Sequence, residues 1–296
     1  MPTPVPPQSS VPHRSRALGA FYAIAAAAIF STAGIIVRRI ELPAWDVSFW
    51  RSALLTVTAL PLLLVHRRRS WAAIRSAGWS LVFSALALAG SFISFILALE
   101  HAPVANVLIV FGVVPFLTAL LARLFLNEPL YRHTIVAMVV AVVGLALSVA
   151  GSLKSGAAFG MALAMMVSLC MSANYVIVRH RRDVAMAPAV ALAGFISAII
   201  ALPFAHPLDV GGRQLLWLLA LGPGQLAGGL LFYIASLKRI PAGQAALLGL
   251  LELVLGPIWV WVIDGEQPGS FTLLGGAIVI AAAAANVWLD SRRPTG

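Results

Sequence analysis

WSLVFSALALAGSFISFILALEHAP (residues 79–103) and WLLALGPGQLAGGLLFYIASLKRIP (residues 217–241) are the two stretches that decide the fold. The first runs from Trp79 to Leu99 without an ionisable residue. A bilayer core is about 30 Å thick and takes about 20 apolar residues as a helix. In lipid the backbone must satisfy its own hydrogen bonds, and one continuous apolar run does so only as a helix. A barrel strand would be shorter and would alternate. The stretch therefore predicts a membrane-spanning helix.

The two stretches also match each other. A shift of 138 lays Trp79 on Trp217, Leu88-Ala89-Gly90 on Leu226-Ala227-Gly228, Phe95-Ile96 on Tyr233-Ile234, Leu99 on Leu237 and Pro103 on Pro241. A shift of 141 lays Gly19 on Gly160, Ser31 on Ser172 and Ile36-Val37-Arg38 on Ile177-Val178-Arg179. The chain reads as an internal duplication.

Outward from these stretches the same signal recurs. Ten apolar segments are expected, at residues 17–37, 43–65, 76–99, 102–125, 131–151, 158–178, 187–206, 214–236, 242–263 and 270–289. The expected fold is an all-α integral membrane protein with a first five-helix repeat over 17–151 and a second over 158–289. Residues 1–16 are expected to be a disordered cytoplasmic tail, and 290–296 a second tail. Five is odd, so the second repeat would enter the membrane in the opposite sense. Glu100-His101 and the matching Lys238-Arg239 then sit at opposite ends. Inverted repeats of this kind put a substrate site near the midplane, between the halves.

Composition agrees. The 296 residues are 61% hydrophobic and 10% charged, against roughly a quarter charged in soluble domains. The formal net charge of +10 comes from short clusters between apolar runs, such as Arg67-Arg68-Arg69 and Arg179-His180-Arg181-Arg182. That pattern marks topology rather than nucleic-acid binding. With the N-terminus inside, fifteen of the 20 basic residues fall on the inner side, which predicts both termini in the cytoplasm. Arg38-Arg39 on the outer side runs against the rule. Cys170 is the one cysteine, so no intrachain disulfide is expected.

Residues 98–103 with Pro115 and Leu126-Asn127-Glu128-Pro129, and in the second copy Ser236-Leu237 to Pro241, Glu252 and Asp264-Gly265-Glu266-Gln267-Pro268, resemble the repeat of the drug/metabolite transporter superfamily in its EamA-like ten-helix branch. Trp50-Arg51 is similar to the arginine that this family carries early in its second helix. The resemblance covers roughly residues 17–290, and length and composition are similar to those of YddG-type amino-acid exporters. It implies efflux of small metabolites across a bacterial inner membrane, by alternating access and without ATP. One position departs: Leu253 stands where Pro115 stands in the first copy, and the proline comes four residues later, at Pro257. That departure bears on the kink of the ninth span.

Glu252 is the one carboxylate near the middle of an expected span, where an ionised group is costly unless paired or hydrated. It is a candidate for proton coupling or for a substrate amine, against a structural hydrogen bond. Arg51 could meet a substrate carboxylate or play a structural role. Gln225 follows Gly222-Pro223-Gly224, where proline frees a carbonyl one turn earlier. Ser31, Ser91, Phe95, Asn174, Tyr175, Tyr233 and Gln244 are further polar or aromatic candidates for a cavity wall, and each alone is more often an interhelical hydrogen bond. Phe95 and Tyr233 are favoured as a matched pair. Glu128 and Glu266 read as loop-locking carboxylates, and Trp259 and Trp261 as interface anchors. The rows Gly19, Ala23, Ala27 and Ala277, Ala281, Ala285 read as close-packing faces inside the bundle, with a dimer face as the alternative for some of them.

No phosphate-binding loop, metal-ligand spacing or nucleophile motif is present, so no cofactor, metal or enzymatic activity is expected. The implied partners are a small-molecule substrate, the lipid bilayer and protons as coupling ion, with the chain a monomer or a weak homodimer. Amino-acid export is the leading reading. Drugs, nucleosides or sugars are the alternative cargo, and a membrane enzyme or lipid scramblase the alternative of another class.

Overall fold

A computed structural model describes residues 13–291, apart from 66, 154–156, 182, 183, 185, 238, 241 and 266. Among the described residues the chain is helical, without strands. The helices are α1 (His13–Ser31), α2 (Ala33–Ile40), α3 (Ala44–Val65), α4 (Arg67–Ala77), α5 (Trp79–His101), α6 (Val104–Phe111), α7 (Val114–Leu126), α8 (Arg132–Leu153), α9 (Ala158–His180), α10 (Ala187–Ala201), α11 (Gly212–Leu219), α12 (Gly228–Leu237), α13 (Ala242–Gly249), α14 (Leu251–Asp264) and α15 (Ser270–Ser291). A π-helical segment, Ala220–Ala227, joins α11 to α12.

Among the described residues nine segments are long and apolar enough to cross a membrane, some of them built from two of these helices end to end. A further helix, α8, is 22 residues long, with Arg132–Ser148 a shorter apolar stretch within it. The expected segments fall on these elements within about three residues at most ends, because each is one apolar run between turn residues or charges. The first helix starts earlier than expected, at His13. Residues 1–12 and 292–296 of the expected tails lie outside the described residues. Most of residues 66–75, expected to be a connection, lie in α4, an eleven-residue basic helix that takes in the first two residues of the third expected segment and in which the Arg75 guanidinium lies 5.4 Å from the Trp71 ring centroid.

Three spans are broken, each for a local reason. Ser31 and Thr32 turn their hydroxyls back onto the carbonyls of Ala28 and Ile29, both at 2.7 Å. Such back-bonding competes with the helix ladder, and α1 gives way to α2 there. Between α6 and α7, Gly112 and Val113 donate to Ile109 and Val110 in tight three-residue steps, with Pro115 just inside α7. The break between α13 and α14 falls at Leu250, 138 residues beyond Gly112. The displaced proline therefore leaves the break at the matching position, and Pro257 lies inside α14.

The pairs that pack are α5 on α9 and α1 on α12, α3 on α10, α8 on α15, α6 and α7 on α9, α13 and α14 on α1, α10 on α5, and α3 on the π-helical segment. The largest buried cluster includes Ile40, Val47, Ile96, Leu99, Val107, Val110, Val167, Leu218 and Val260. Without a hydrophobic force between helices in lipid, close backbone approach holds such pairs together. Gly19 does this on α1: a Cβ there would lie 2.7 Å from atoms of Arg239 and Ile240. Ala23 and Ala27 on the same row are buried, as expected. The second row does not pack inside the bundle, which corrects the packing reading and leaves the dimer-face reading. Ala277, Ala281 and Ala285 are exposed, and the packed face of α15 runs instead through Gly275, Gly276, Val279, Ala282 and Ala283. Alanines fill that helix on every side, so spacing alone could not choose the face.

Candidate functional site

Arg39, at the end of α2, donates to Asp264, at the end of α14, at 2.7 Å. This bridge neutralises one of the two arginines that ran against the charge rule. Arg179, at the end of α9, donates to Glu128, just beyond α7, at 2.7 Å. Glu128 thus ties a loop to a helix end, as expected of a locking carboxylate; Glu266 lies outside the described residues. Asp46 is a carboxylate the sequence reading passed over. It is 4% exposed in the first turn of α3 and accepts from the His206 backbone N–H. A carboxylate at a helix start reads as an ordinary first-turn residue, so only the fold reveals its partner. Glu100 accepts from the Ala44 N–H at 3.2 Å.

The polar candidates within the spans fall into three groups. In the first, Tyr175 of α9 lies within electrostatic reach of Tyr233 of α12 and Glu252 of α14. Tyr175 is 46% exposed although it sits within a span, and Tyr233 and Glu252 are half-buried. Tyr175 thus feels the charge of a phenol and a carboxylate borne by two other helices. The three side chains offer one acceptor site and two donor–acceptor hydroxyls.

The second group is built on α3 and α5. Arg51 is 5% exposed. Its guanidinium lies 5.5 Å from the ring centroids of both Phe92 and Phe95, and its Nε–H has no hydrogen-bond partner. Phe95, 8% exposed, stacks at a tilt on Phe111 with centroids 5.5 Å apart. The matched residues Phe95 and Tyr233 therefore keep different company, one with a cation and a ring, the other with a phenol and a carboxylate.

The third group is structural by its bonds. Ser31 accepts from the Trp259 indole N–H at 3.0 Å, which binds α1 to α14. Trp259, expected as an interface anchor, turns its polar edge inward. Trp261 is half exposed. Asn174 accepts from Ser84 at 2.6 Å and ties α9 to α5. Ser91 is buried on α5. Gln225 is buried on the π-helical segment and donates from Nε2 to the Phe30 carbonyl at 3.1 Å, while its Oε1 has no partner. Pro223 brings no N–H and its ring crowds the carbonyl of Leu219. The ladder widens there, and Gly228 donates to the Pro223 carbonyl five residues back. A π-bulge of this kind is frequent at functional sites. The side chain of Gln244 lies outside the described residues. No cluster with metal-binding composition occurs among the described residues.

Comparison with known proteins places this arrangement. Residues 17–150 and 158–288 each match the EamA-like transporter family. The S-adenosylmethionine uptake transporter of Rickettsia felis is 25% identical over 248 residues, 82% of this chain and 82% of the relative. The pseudopaline exporter CntI of Pseudomonas aeruginosa is 26% identical over 287 residues, 90% of this chain and 95% of the relative. A solved crystal structure superposes with a TM-score of 0.65 at 20% identity, over 96% of this chain and 100% of that one; at that identity the likeness concerns the fold. The relatives are transporters rather than enzymes, and the family matches cover nearly the whole chain. This multi-pass membrane protein belongs to the EamA-like transporter family.

Proposed function

We propose that the protein exports small metabolites, amino acids first among them, by alternating access around a midplane site between two inverted five-helix repeats. The observation that carries this reading is Glu252 inside a membrane span, half-buried on α14 and within electrostatic reach of Tyr175 on α9, which also feels Tyr233 on α12. Polar and ionisable groups inside a membrane bundle are costly unless paired or hydrated, and they mark solute and ion paths. These three residues stand on helices from the second repeat only, so the site is asymmetric even though the scaffold is duplicated.

The packing supports the duplicated scaffold. Exchanging each span for the one five places on turns α5 on α9 into α12 on α1, and α10 on α5 into α3 on the π-helical segment next to α12. It also turns α7 on α9 into α14 on α1. Side chains follow the same exchange. Ser31 binds α1 to α14 through Trp259, and its counterpart Ser172 binds α9 to α7 by donating to the Val114 carbonyl at 3.1 Å. The bridges Arg39–Asp264 and Arg179–Glu128 join the same two pairs of spans, although by the register Arg179 matches Arg38 and Glu128 matches Glu266. The twofold family match at 17–150 and 158–288 has the same period. Ten spans, both termini in the cytoplasm and a bacterial inner membrane complete the reading.

S-adenosylmethionine carries an amino-acid head group, which favours amino-acid-like cargo, in keeping with the likeness to YddG-type exporters. Glu252 is the coupling residue if transport is driven by protons. The test is flux of labelled solutes into proteoliposomes, amino acids first, with and without an imposed pH gradient. Gradient-driven accumulation supports proton coupling through Glu252. Flux insensitive to the gradient makes the protein a facilitator. Absence of amino-acid flux, with flux of drugs, nucleosides or sugars, moves the cargo and keeps the carrier.

A further inference from the structure

Arg51 presents an electrostatic problem that the protein leaves open. The residue is charged and 5% exposed, and no carboxylate among the described residues pairs with it. Five of the described acidic groups are engaged elsewhere: Asp46 with the His206 N–H, Glu100 with the Ala44 N–H, Glu128 with Arg179, Asp264 with Arg39, and Glu252 near Tyr175. The company Arg51 keeps is the two ring faces of Phe92 and Phe95. Ring quadrupoles attract a cation, yet they offset only part of the cost of taking an ion out of water.

The neighbouring donors are idle too. The Arg51 Nε–H, the Trp50 indole N–H and the Ser48 hydroxyl all lack partners. Ser48 is 1% exposed. Ser48 and Arg51 are three residues apart on α3, so they share one helix face. Buried donors left without acceptors are rare in native proteins, and each calls for an explanation. A guanidinium with a hydroxyl on the same helix face suits a planar acceptor of opposite charge. The site also sits where the helix ladder is loosened. A Cβ on Gly222, in the π-helical segment, would lie 3.2 Å from the Arg51 carbonyl oxygen, so the Arg51 backbone packs directly on that segment.

We propose that Arg51 and Ser48 form a subsite for the carboxylate of the transported molecule, so that the cargo is a carboxylate-bearing solute rather than a neutral or purely cationic one. Naming the bound anion as cargo rests on the carrier reading above; the binding of a carboxylate does not. The ligand carboxylate supplies the missing countercharge, and the aromatic pair fixes the guanidinium plane that receives it.

The test compares L-amino acids with their carboxamides, which differ only at the group in question. Thermal unfolding of the detergent-purified protein is recorded across a concentration series of each, since a ligand bound to the folded state raises its stability by mass action. The acids are expected to raise the transition and the amides to do so about tenfold less effectively, as for a lost charged hydrogen bond. Arg51→Gln is expected to abolish the difference, Arg51→Lys to keep part of it, and Ser48→Ala to narrow it. Equal effects of acid and amide on the wild-type protein, or no effect of either, overturn the subsite. This comparison needs no variant, so it stands even if Arg51→Gln fails to fold. Flux in proteoliposomes separates the two claims. Acid-selective stabilisation without flux keeps the subsite and refutes the carrier reading. Flux of acid and amide at equal rates, with equal stabilisation, keeps the carrier and refutes the subsite.

Discussion

Replacing Gly275 with alanine tests the packing of α8 on α15. A Cβ at Gly275 would lie 2.3 Å from the Gly144 carbonyl oxygen, 2.7 Å from the Ser148 amide nitrogen and 2.9 Å from the Ser148 Cβ. These are mostly backbone atoms, which cannot swing aside as a side-chain tip can. To reach ordinary contact the helices must part by about 1 Å, and a gap of that size forfeits a quarter to a half of the dispersion energy of the atoms facing it. Overpacking costs about 1–3 kcal/mol. Alanine regains about 1 kcal/mol of helix propensity over glycine. The expected net loss is up to about 2 kcal/mol, at most roughly a 30-fold fall in the folded-to-unfolded ratio, and about 1–3 kcal/mol relative to a control alanine that gains the same propensity. The assay is reversible unfolding in mixed micelles titrated with denaturing detergent. Gly249→Ala serves as the control, because a Cβ there meets nothing within 4 Å. Gly275→Ala unfolding at the same midpoint as Gly249→Ala would refute the close approach of the two helices.

Glu252→Gln is expected to leave unfolding unchanged while removing any dependence of flux on pH, because the amide carries no titrating proton; an unaltered pH profile would assign coupling elsewhere. Asp46→Ala leaves the His206 N–H without its acceptor, so a loss of about 1–3 kcal/mol is expected, read by thermal unfolding; a neutral result would mean that water replaces the carboxylate. Breaking the half-exposed Arg179–Glu128 bridge with Glu128→Ala should cost under about 1 kcal/mol, and a larger loss in the same unfolding assay would mean the pair belongs to a wider network. Pro223→Ala restores an N–H to the π-helical segment and is expected to change the rate of flux more than the stability; equal flux with raised stability would make the segment a packing feature.

The membrane spans were legible in the sequence because hydrophobicity is a local property. A run such as Trp79–Leu99 states its environment without reference to any other part of the chain. The break between α13 and α14 was half legible. The duplication marked Leu253 as the match of Pro115 and Pro257 as a departure that bears on the kink, while the break itself, at Leu250 opposite Gly112, shows only in the fold. The packed face of α15 was not legible, because a helix rich in alanine offers nearly equivalent faces and the choice lies in which one meets Gly144. Of the candidate site, residue types were visible and company was not. Ser31 and Asn174 resembled Tyr175 and Glu252 as polar residues in apolar runs, yet the first two spend their bonding on Trp259 and Ser84, while Tyr175 lies within electrostatic reach of Tyr233 and Glu252.

The amino-acid sequence by itself determined that this chain lives in a membrane, where its helices run and at what period its pattern returns. Those properties depend on transfer from water to lipid and on helical reach, residue by residue. Only the tertiary structure decided that Asp46 holds a loop, that Arg51 lies between two rings without a countercharge, and that one face of α15 touches the α8 backbone. Each of these is a contact between segments far apart in the chain. Its energy depends on distance and direction in space, which no local pattern encodes.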